Sequence, residues 1–275
     1  PANWEFNGYG IPIYVNHPFE FAVDNPNPPF IENEKQPTGI YRRNFKLPEA
    51  WKNQQVFLHL GAVKSAFKLY VNGEYVGMGE DSKLESEFEL TNYLQSGENL
   101  ITLEVRRWSD SSYLEAQDFW RISGIQRNVY LYARPQVHFY DLFVISGLIN
   151  DYRDGELSFD IELWNRTNTD QGENIVEVLL KDKNGIILYK EEKPTIGLKR
   201  KNGKTMLRFE EEIKNVNSWS AETPYLYDLN INLKSPKGST IESINQKVGF
   251  KTYEVKGNQF LVNGKPVLFK GVNRH

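Results

Sequence analysis

Apolar and polar residues alternate with a period of two along most of the chain. LITLEV places Ile101, Leu103 and Val105 on one face, as a half-buried strand requires. VFLHL (Val56 to Leu60) leads through a short turn into FKLYV (Phe67 to Val71), and Asn72-Gly73 then joins FKLYV to EYVG. That pair reads as a hairpin closed by a primed turn. NVYLYA (Asn128 to Ala133) is a further short strand. Helical periodicity is nowhere sustained beyond a turn, the nearest candidate being SEFELTNYL (Ser86 to Leu94). The first part of the chain therefore reads as an all-β sandwich with long loops.

Arg134-Pro135 punctuates the pattern, and a simpler set of strands follows. SFDIELWN puts Phe159, Ile161 and Leu163 on one face. IVEVLLKD and IILYKEE flank Asn184-Gly185, a second hairpin signal, and MLRFEEEI follows. LYDLNINLKS alternates Leu229, Ile231 and Leu233. About seven strands in roughly 115 residues is the rhythm of an immunoglobulin-like sandwich. From Thr252 a third piece begins, with strands on either side of Asn263-Gly264. Its apolar run Val267, Leu268 and Phe269 reads as a strand covered on both faces, as in a parallel barrel. The expected organisation is thus residues 1–135, 136–251 and 252–275.

The composition is that of a globular chain, with 39% hydrophobic and 25% charged residues among 275. Net charge is −3 and no basic stripe exists, which argues against nucleic acid and anionic membrane as partners. No apolar run approaches the length of a membrane-spanning helix. There is no cysteine, so disulfides, a thiol nucleophile and a zinc-thiolate site are excluded. Aromatic residues are plentiful at 13%. They serve core packing, and Trp and Tyr also stack on the apolar faces of sugars.

Candidate chemistry concentrates between Arg106 and Tyr132, where Trp108, Trp120, Asp110, Glu115 and Asp118 fall in a segment with little strand alternation. Long ordered loops on a β scaffold are where binding residues gather. The plainer reading is that the two Trp plug the sandwich end while acids and arginines pair. Asp118 stands out, because a carboxylate beside Phe119 and Trp120 can accept hydrogen bonds from sugar hydroxyls or hold a cation. Asn16, in the turn GYGIPIYVN, carries an amide that both donates to and accepts from a hydroxyl. His59 and His138 read as structural. His275, after an apolar run and Gly271, occupies the place of a barrel strand's C-terminal end, the active face of such barrels. No phosphate loop, metal-binding helix or nucleophile elbow is present. A noncatalytic carbohydrate-binding module of two sandwiches fits these residues as well as an enzyme does.

The segments PANWEFNGYGIPIYVN, PTGIYRRNF, SAFKLYVNGEYVG, RWSDSSYLEAQDFWRISGIQRNVYLY, WSAETPYLYDLNI, VGFKTYEV and LVNGKPVLFKGVNRH carry a resemblance across essentially the whole chain. In that order they resemble the N-terminal part of the large bacterial β-galactosidases of glycoside hydrolase family 2. The most specific are the RWSD…QDFWRISGI block and the terminal GVNRH.

The resemblance implies a jelly-roll sugar-binding-like sandwich, an immunoglobulin-like sandwich and the first strands of a (β/α)₈ barrel. The chain is then a fragment cut at both ends. It would lack the jelly roll's first strands and the barrel that carries two catalytic glutamates, about 5 Å apart in a retaining mechanism. The parent would hydrolyse terminal β-D-galactosides as a homo-oligomer, and the fragment alone would be inactive. By the same resemblance Asn16, Asp118 and His275 contact the galactose, and His275 favours the transition state. Asp118 also holds sodium, and Asp110 with Glu80 holds a peripheral magnesium. The alternative specificities within the family are β-glucuronides and β-mannosides.

Overall fold

The computed structural model describes residues 3–15, 19–22, 24–32, 36–171, 173–196, 198 and 203–273. Two compact units meet in sequence at Arg134 and Pro135, and the chain is nearly all β.

The first unit contains, in chain order, β1 (Ile13–Val15), β2 (Thr38–Lys46), β3 (Gln55–Leu60), β4 (Val63–Lys64), β5 (Ala66–Val71), β6 (Glu74–Gly79), β7 (Ser86–Glu89) and β8 (Glu98–Arg106). A single turn of helix, α1 (Ser112–Glu115), precedes β9 (Phe119–Arg121), β10 (Gly124–Ile125) and β11 (Val129–Arg134). One sheet runs β2-β8-β5-β6 and the other β11-β3-β7, all antiparallel. Leu58 and Leu60 from one sheet and Leu69, Leu103 and Val105 from the other are buried together, which is the face the alternation in LITLEV assigns. The β5–β6 turn is the one expected, with φ of 52° at Asn72 and 87° at Gly73. The Asn72 side chain also donates to the Tyr93 carbonyl at 2.8 Å and accepts from the Leu100 amide at 2.9 Å, so one turn residue sets the register of three segments. Beside Tyr41, Phe45, Ile101 and Leu131 the two sheets leave an open cleft of about 600 Å³.

SEFELTNYL is not a helix. Its first half is β7, paired with β3, and its second half is one 3₁₀ turn at Thr91–Tyr93. Phe88 and Leu90 both turn inward at a spacing of two: Phe88 meets Phe67 edge-on at 5.9 Å, and Leu90 is wholly buried. The β3 ladder and that shared pocket outweigh the weak helical period.

The second unit has a three-stranded sheet of β12 (Val137–Ile149), β13 (Asp154–Asn165) and, later in the chain, β16 (Gly203–Ile213). Its four-stranded sheet takes β14 (Ile175–Lys181), β15 (Ile187–Pro194), β17 (Tyr227–Lys234) and β18 (Thr240–Val248) in the order β15-β14-β17-β18. Ile161, Leu163, Leu229, Ile231 and Leu233 are fully buried between them and Phe159 nearly so, as their alternation requires. The hairpin at Asn184-Gly185 is present, with φ of 82° at Gly185. Asp182 caps it by accepting from the amides of Asn184 and Ile186 at 2.8 and 2.9 Å.

A small antiparallel sheet, β19 (Tyr253–Lys256), β20 (Gln259–Val262) and β21 (Lys265–Pro266), follows. It is anchored on the same unit by Asn263, whose side chain donates to the Trp219 carbonyl at 3.0 Å and accepts from the Thr252 amide at 2.9 Å. Val267, Leu268 and Phe269 lie just past β21. Regular structure stops at Pro266, and the three side chains are 40%, 80% and 71% exposed. An apolar run becomes a doubly covered strand only where neighbours cover both faces, and the described residues there supply one small sheet.

Candidate functional site

β1 and β9 pair with each other and with no other strand among the described residues, forming a short ribbon that belongs to neither sheet. Its register sets Tyr14 opposite Trp120, with ring centroids 5.5 Å apart, and Val15 opposite Phe119. The Tyr14 hydroxyl donates to Asp118 Oδ1 at 2.7 Å. That hydrogen bond, and then the carboxylate's charge, raise the Tyr14 pKa above the usual 10.0, because ionisation would forfeit the donor and set two anions together. Tyr14 and Trp120 are 53% and 56% exposed and Asp118 is exposed beside Tyr14. Two outward aromatic rings next to a carboxylate are suited to a polyhydroxylated ligand with an apolar face. Trp120 thus does not plug the sandwich end.

Behind the ribbon lies a buried ionic layer. Glu20 accepts from the Trp108 indole N–H at 2.9 Å and stands 3.5 Å from the Arg121 guanidinium. Arg107 donates to the carbonyls of Ile11 and Arg121 at 3.2 and 3.3 Å, and Glu5 takes the Ser123 amide at 3.0 Å. Lys64 on β4 is 8% exposed, and burial pulls its pKa from 10.5 down to about 8. Its ammonium lies 4.5 Å from the centre of the Phe119 ring.

Asp110 and Glu80 meet at a second place. Ser111 donates its hydroxyl to the Glu80 carbonyl at 3.0 Å, and Ser82 donates its amide to Glu115 at 3.0 Å and its hydroxyl to the same carboxylate. These bonds sew the loop after β6 to α1. Glu80 and Asp110 consequently share a pocket of about 300 Å³. Partial burial and then Asp110's charge raise the Glu80 pKa. Two carboxylates that repel one another fit a divalent cation as an incomplete pair of oxygen ligands. Among the described residues no group of three or more acids, histidines or cysteines stands close enough to enclose a metal. Asp118 offers a cation one carboxylate, already engaged by Tyr14.

Of the residues expected at the sugar, Asp118 is the one on view. Asn16 and His275 lie outside the described residues, as does His17. Asp110 and Glu80 come together, apart from the Asp118 ribbon. His59 bonds Glu87 at 3.0 Å and His138 is 2% exposed, both as structural residues. Tyr14, Glu20 and Lys64 went unread in the sequence. Tyr14 is 104 positions from Asp118 and only a strand register joins them, while a lone lysine after Val63 carries no local signal.

The first unit is thus a β-sandwich that carries an exposed cluster of two aromatic rings and a carboxylate. The family model described as "Glycosyl hydrolases family 2, sugar binding domain" matches residues 1–135, and "Glycosyl hydrolases family 2" matches residues 137–251. The chain belongs to glycosyl hydrolases family 2. A beta-galactosidase of Priestia megaterium is 44% identical over 276 residues, and one of Alteromonas mediterranea is 40% identical over 287. Each alignment takes in 100% of this chain and 26% of the relative, so the chain spans about a quarter of the length of these curated proteins. The solved beta-glucuronidase 2 of Bacteroides uniformis superimposes with a TM-score of 0.78 at 26% identity, over 86% of this chain and 29% of that one. A calcium-binding mutant of the same beta-glucuronidase 2 matches with a TM-score of 0.74.

Proposed function

We propose that this chain is the N-terminal part of a retaining β-galactosidase and supplies one wall of its sugar pocket. The observation that carries the reading is the Tyr14–Asp118–Trp120 cluster, a carboxylate oriented by a phenol whose ring packs against an outward indole. The family supports a carbohydrate as substrate, and relatives named beta-galactosidase at 44% and 40% identity favour a galactoside over a glucuronide. Asp118 would accept hydrogen bonds from galactose hydroxyls, with Asn16 and His275 as further contacts.

Two glutamates of the remaining protein would act as nucleophile and acid/base, about 5 Å apart. This chain's residues would then bind and orient the sugar, and they raise turnover where their bonds tighten in the transition state. The organisation we assign is a sugar-binding-like sandwich over 1–135, an immunoglobulin-like sandwich over 136–251 and the start of a catalytic barrel from 252. Asp110 and Glu80 would hold magnesium and Asp118 sodium, each ion supplying positive charge beside the carboxylates. The whole enzyme would be a homo-oligomer, and this chain alone inactive.

The test is an assay of the full-length protein on p-nitrophenyl β-galactoside and β-glucuronide. Faster hydrolysis of the galactoside is expected. Preference for the glucuronide overturns the assigned specificity, and hydrolysis of neither favours the noncatalytic module.

A further inference from the structure

Phe119 immediately follows Asp118, and three cations surround its ring. Lys64 Nζ lies 4.5 Å from the centroid, the Arg121 guanidinium 4.8 Å and Lys83 Nζ 5.7 Å, all within the range of cation–π attraction. Arg121 and Lys83 have other partners: Arg121 stands 3.5 Å from Glu20, and Lys83 donates to the Gln126 side chain at 2.7 Å. Lys64 has no ion pair with any described residue. The groups facing it are Glu20 from the loop after β1, Glu115 from α1, Arg121 from β9 and Lys83 from the loop after β6. Both of those acids are committed elsewhere, Glu20 to Trp108 and Arg121 and Glu115 to Ser82. Both carboxylates favour the charged amine through space without an ion pair to it, and the direct contact the ammonium makes is with the Phe119 ring at 4.5 Å.

The two ends of this contact belong to different parts of the unit. Lys64 sits on β4, whose register with β10 pairs it to Gly124. Phe119 sits on the β1–β9 ribbon, which no sheet holds. A buried lysine with no direct ion pair is costly, and an apolar side chain of similar volume would serve packing at least as well. A charge retained there acts on its neighbour, and that neighbour adjoins Asp118.

We propose that Lys64 is a positioning residue for the sugar site: its ammonium grips the Phe119 ring, ties the β1–β9 ribbon to β4, and so fixes where Asp118 presents its carboxylate. This role rests on the sugar-binding reading of Asp118. At neutral pH the amine keeps its proton, since its pKa is held near 8.

The experiment compares Lys64→Met, Lys64→Arg and Asp118→Ala in the full-length enzyme by steady-state kinetics on p-nitrophenyl β-galactoside and by thermal melting. Lys64→Met is expected to raise KM about tenfold while kcat stays within about threefold, as loss of a well-placed binding group does. Lys64→Arg keeps the cation and is expected to return KM to within about threefold of the parent. Melting midpoints of both should stay within a few degrees of it. If Lys64→Met does not fold, Lys64→Gln is read by the same criteria. A parental KM in Lys64→Met, alongside a raised KM in Asp118→Ala, overturns the role of Lys64 and leaves the sugar site standing. Damage in Lys64→Arg equal to that in Lys64→Met overturns it too, because cation and ring would then be irrelevant. Unchanged kinetics in Asp118→Ala removes the sugar-site reading, and the positioning role falls with it.

Discussion

Tyr14 donates its phenol hydrogen to Asp118 across 2.7 Å, although 104 residues separate the two. The bond orients the carboxylate and uses one of its lone pairs, leaving the others for a ligand. Removing the donor in Tyr14→Phe is expected to lower galactoside kcat/KM of the full-length enzyme about tenfold, and Asp118→Ala to lower it further. The isolated chain gives a second readout. Asp118 raises the Tyr14 pKa, so Asp118→Asn is expected to bring it back toward 10.0. Carbon-13 NMR of labelled tyrosine, with Tyr14→Phe identifying the resonance, measures this, and an unmoved titration would dissolve the pair.

Glu80 and Asp110 face one pocket with like charge. Magnesium is expected to raise the melting midpoint of this chain by a few degrees, and Asp110→Asn to abolish the gain. Because repulsion and burial raise the Glu80 pKa, magnesium binding should weaken as pH falls through the carboxylate range. Calorimetry at two pH values checks it; equal affinities would exclude Glu80 as a ligand.

Glu177 on β14 is buried and accepts from the Lys234 ammonium at 2.8 Å and from the Asn232 side chain Nδ2 at 3.0 Å. The Lys234 hydrogen bond leads in drawing its pKa from 4.5 down to about 2. A depressed carboxylate pKa contributes stability that is fully present above the unfolded value and is lost as pH falls through the folded one. The melting midpoint of the second unit is therefore expected to fall between pH 4.5 and about 2, and Glu177→Gln to flatten that slope. Parallel slopes for the two proteins would assign the acid sensitivity to other groups.

Trp4 packs on Gly39 so closely that a Cβ there would stand 2.7 Å from the indole ring. Gly39 lies on β2 opposite the wholly buried Val105, and Trp4 is itself only 9% exposed. Gly39→Ala is expected to destabilise the first unit by about 1–3 kcal/mol, the usual cost of overpacking. Denaturant unfolding measures it; a loss smaller than about 0.5 kcal/mol would mean that the Trp4 contact yields freely.

The sandwich strands were legible because burial of one face imposes a period of two: Phe159, Ile161 and Leu163 declare their core side, and so do Leu229, Ile231 and Leu233. Asn72-Gly73 declares its turn because few residue pairs adopt positive φ in succession. Ser86 to Leu94 came nearest to a helical period because a four-residue strand running into a 3₁₀ turn mimics one. Val267 to Phe269 stay exposed because an apolar run does not carry its own cover, and the described residues beside it form only one small sheet. Asp118 stood out through its neighbours and family resemblance, and it lies exposed on the surface with Tyr14 as its partner. Tyr14, Glu20 and Lys64 did not stand out, since their roles depend on strand register and on a shared aromatic ring, neither of which is local in sequence.

The β1–β9 ribbon has one further consequence. Its three paired positions add little to the hydrogen-bond ladders of either sheet, and its grip on the rest of the unit runs through Phe119, Arg121 and the carbonyl that Arg107 binds. Substitutions at Tyr14 or Trp120 are therefore expected to leave the sandwich core whole. With the ribbon as the proposed sugar contact, ligand preference and folding would fall on separate strands, and specificity could diverge at little cost to the scaffold.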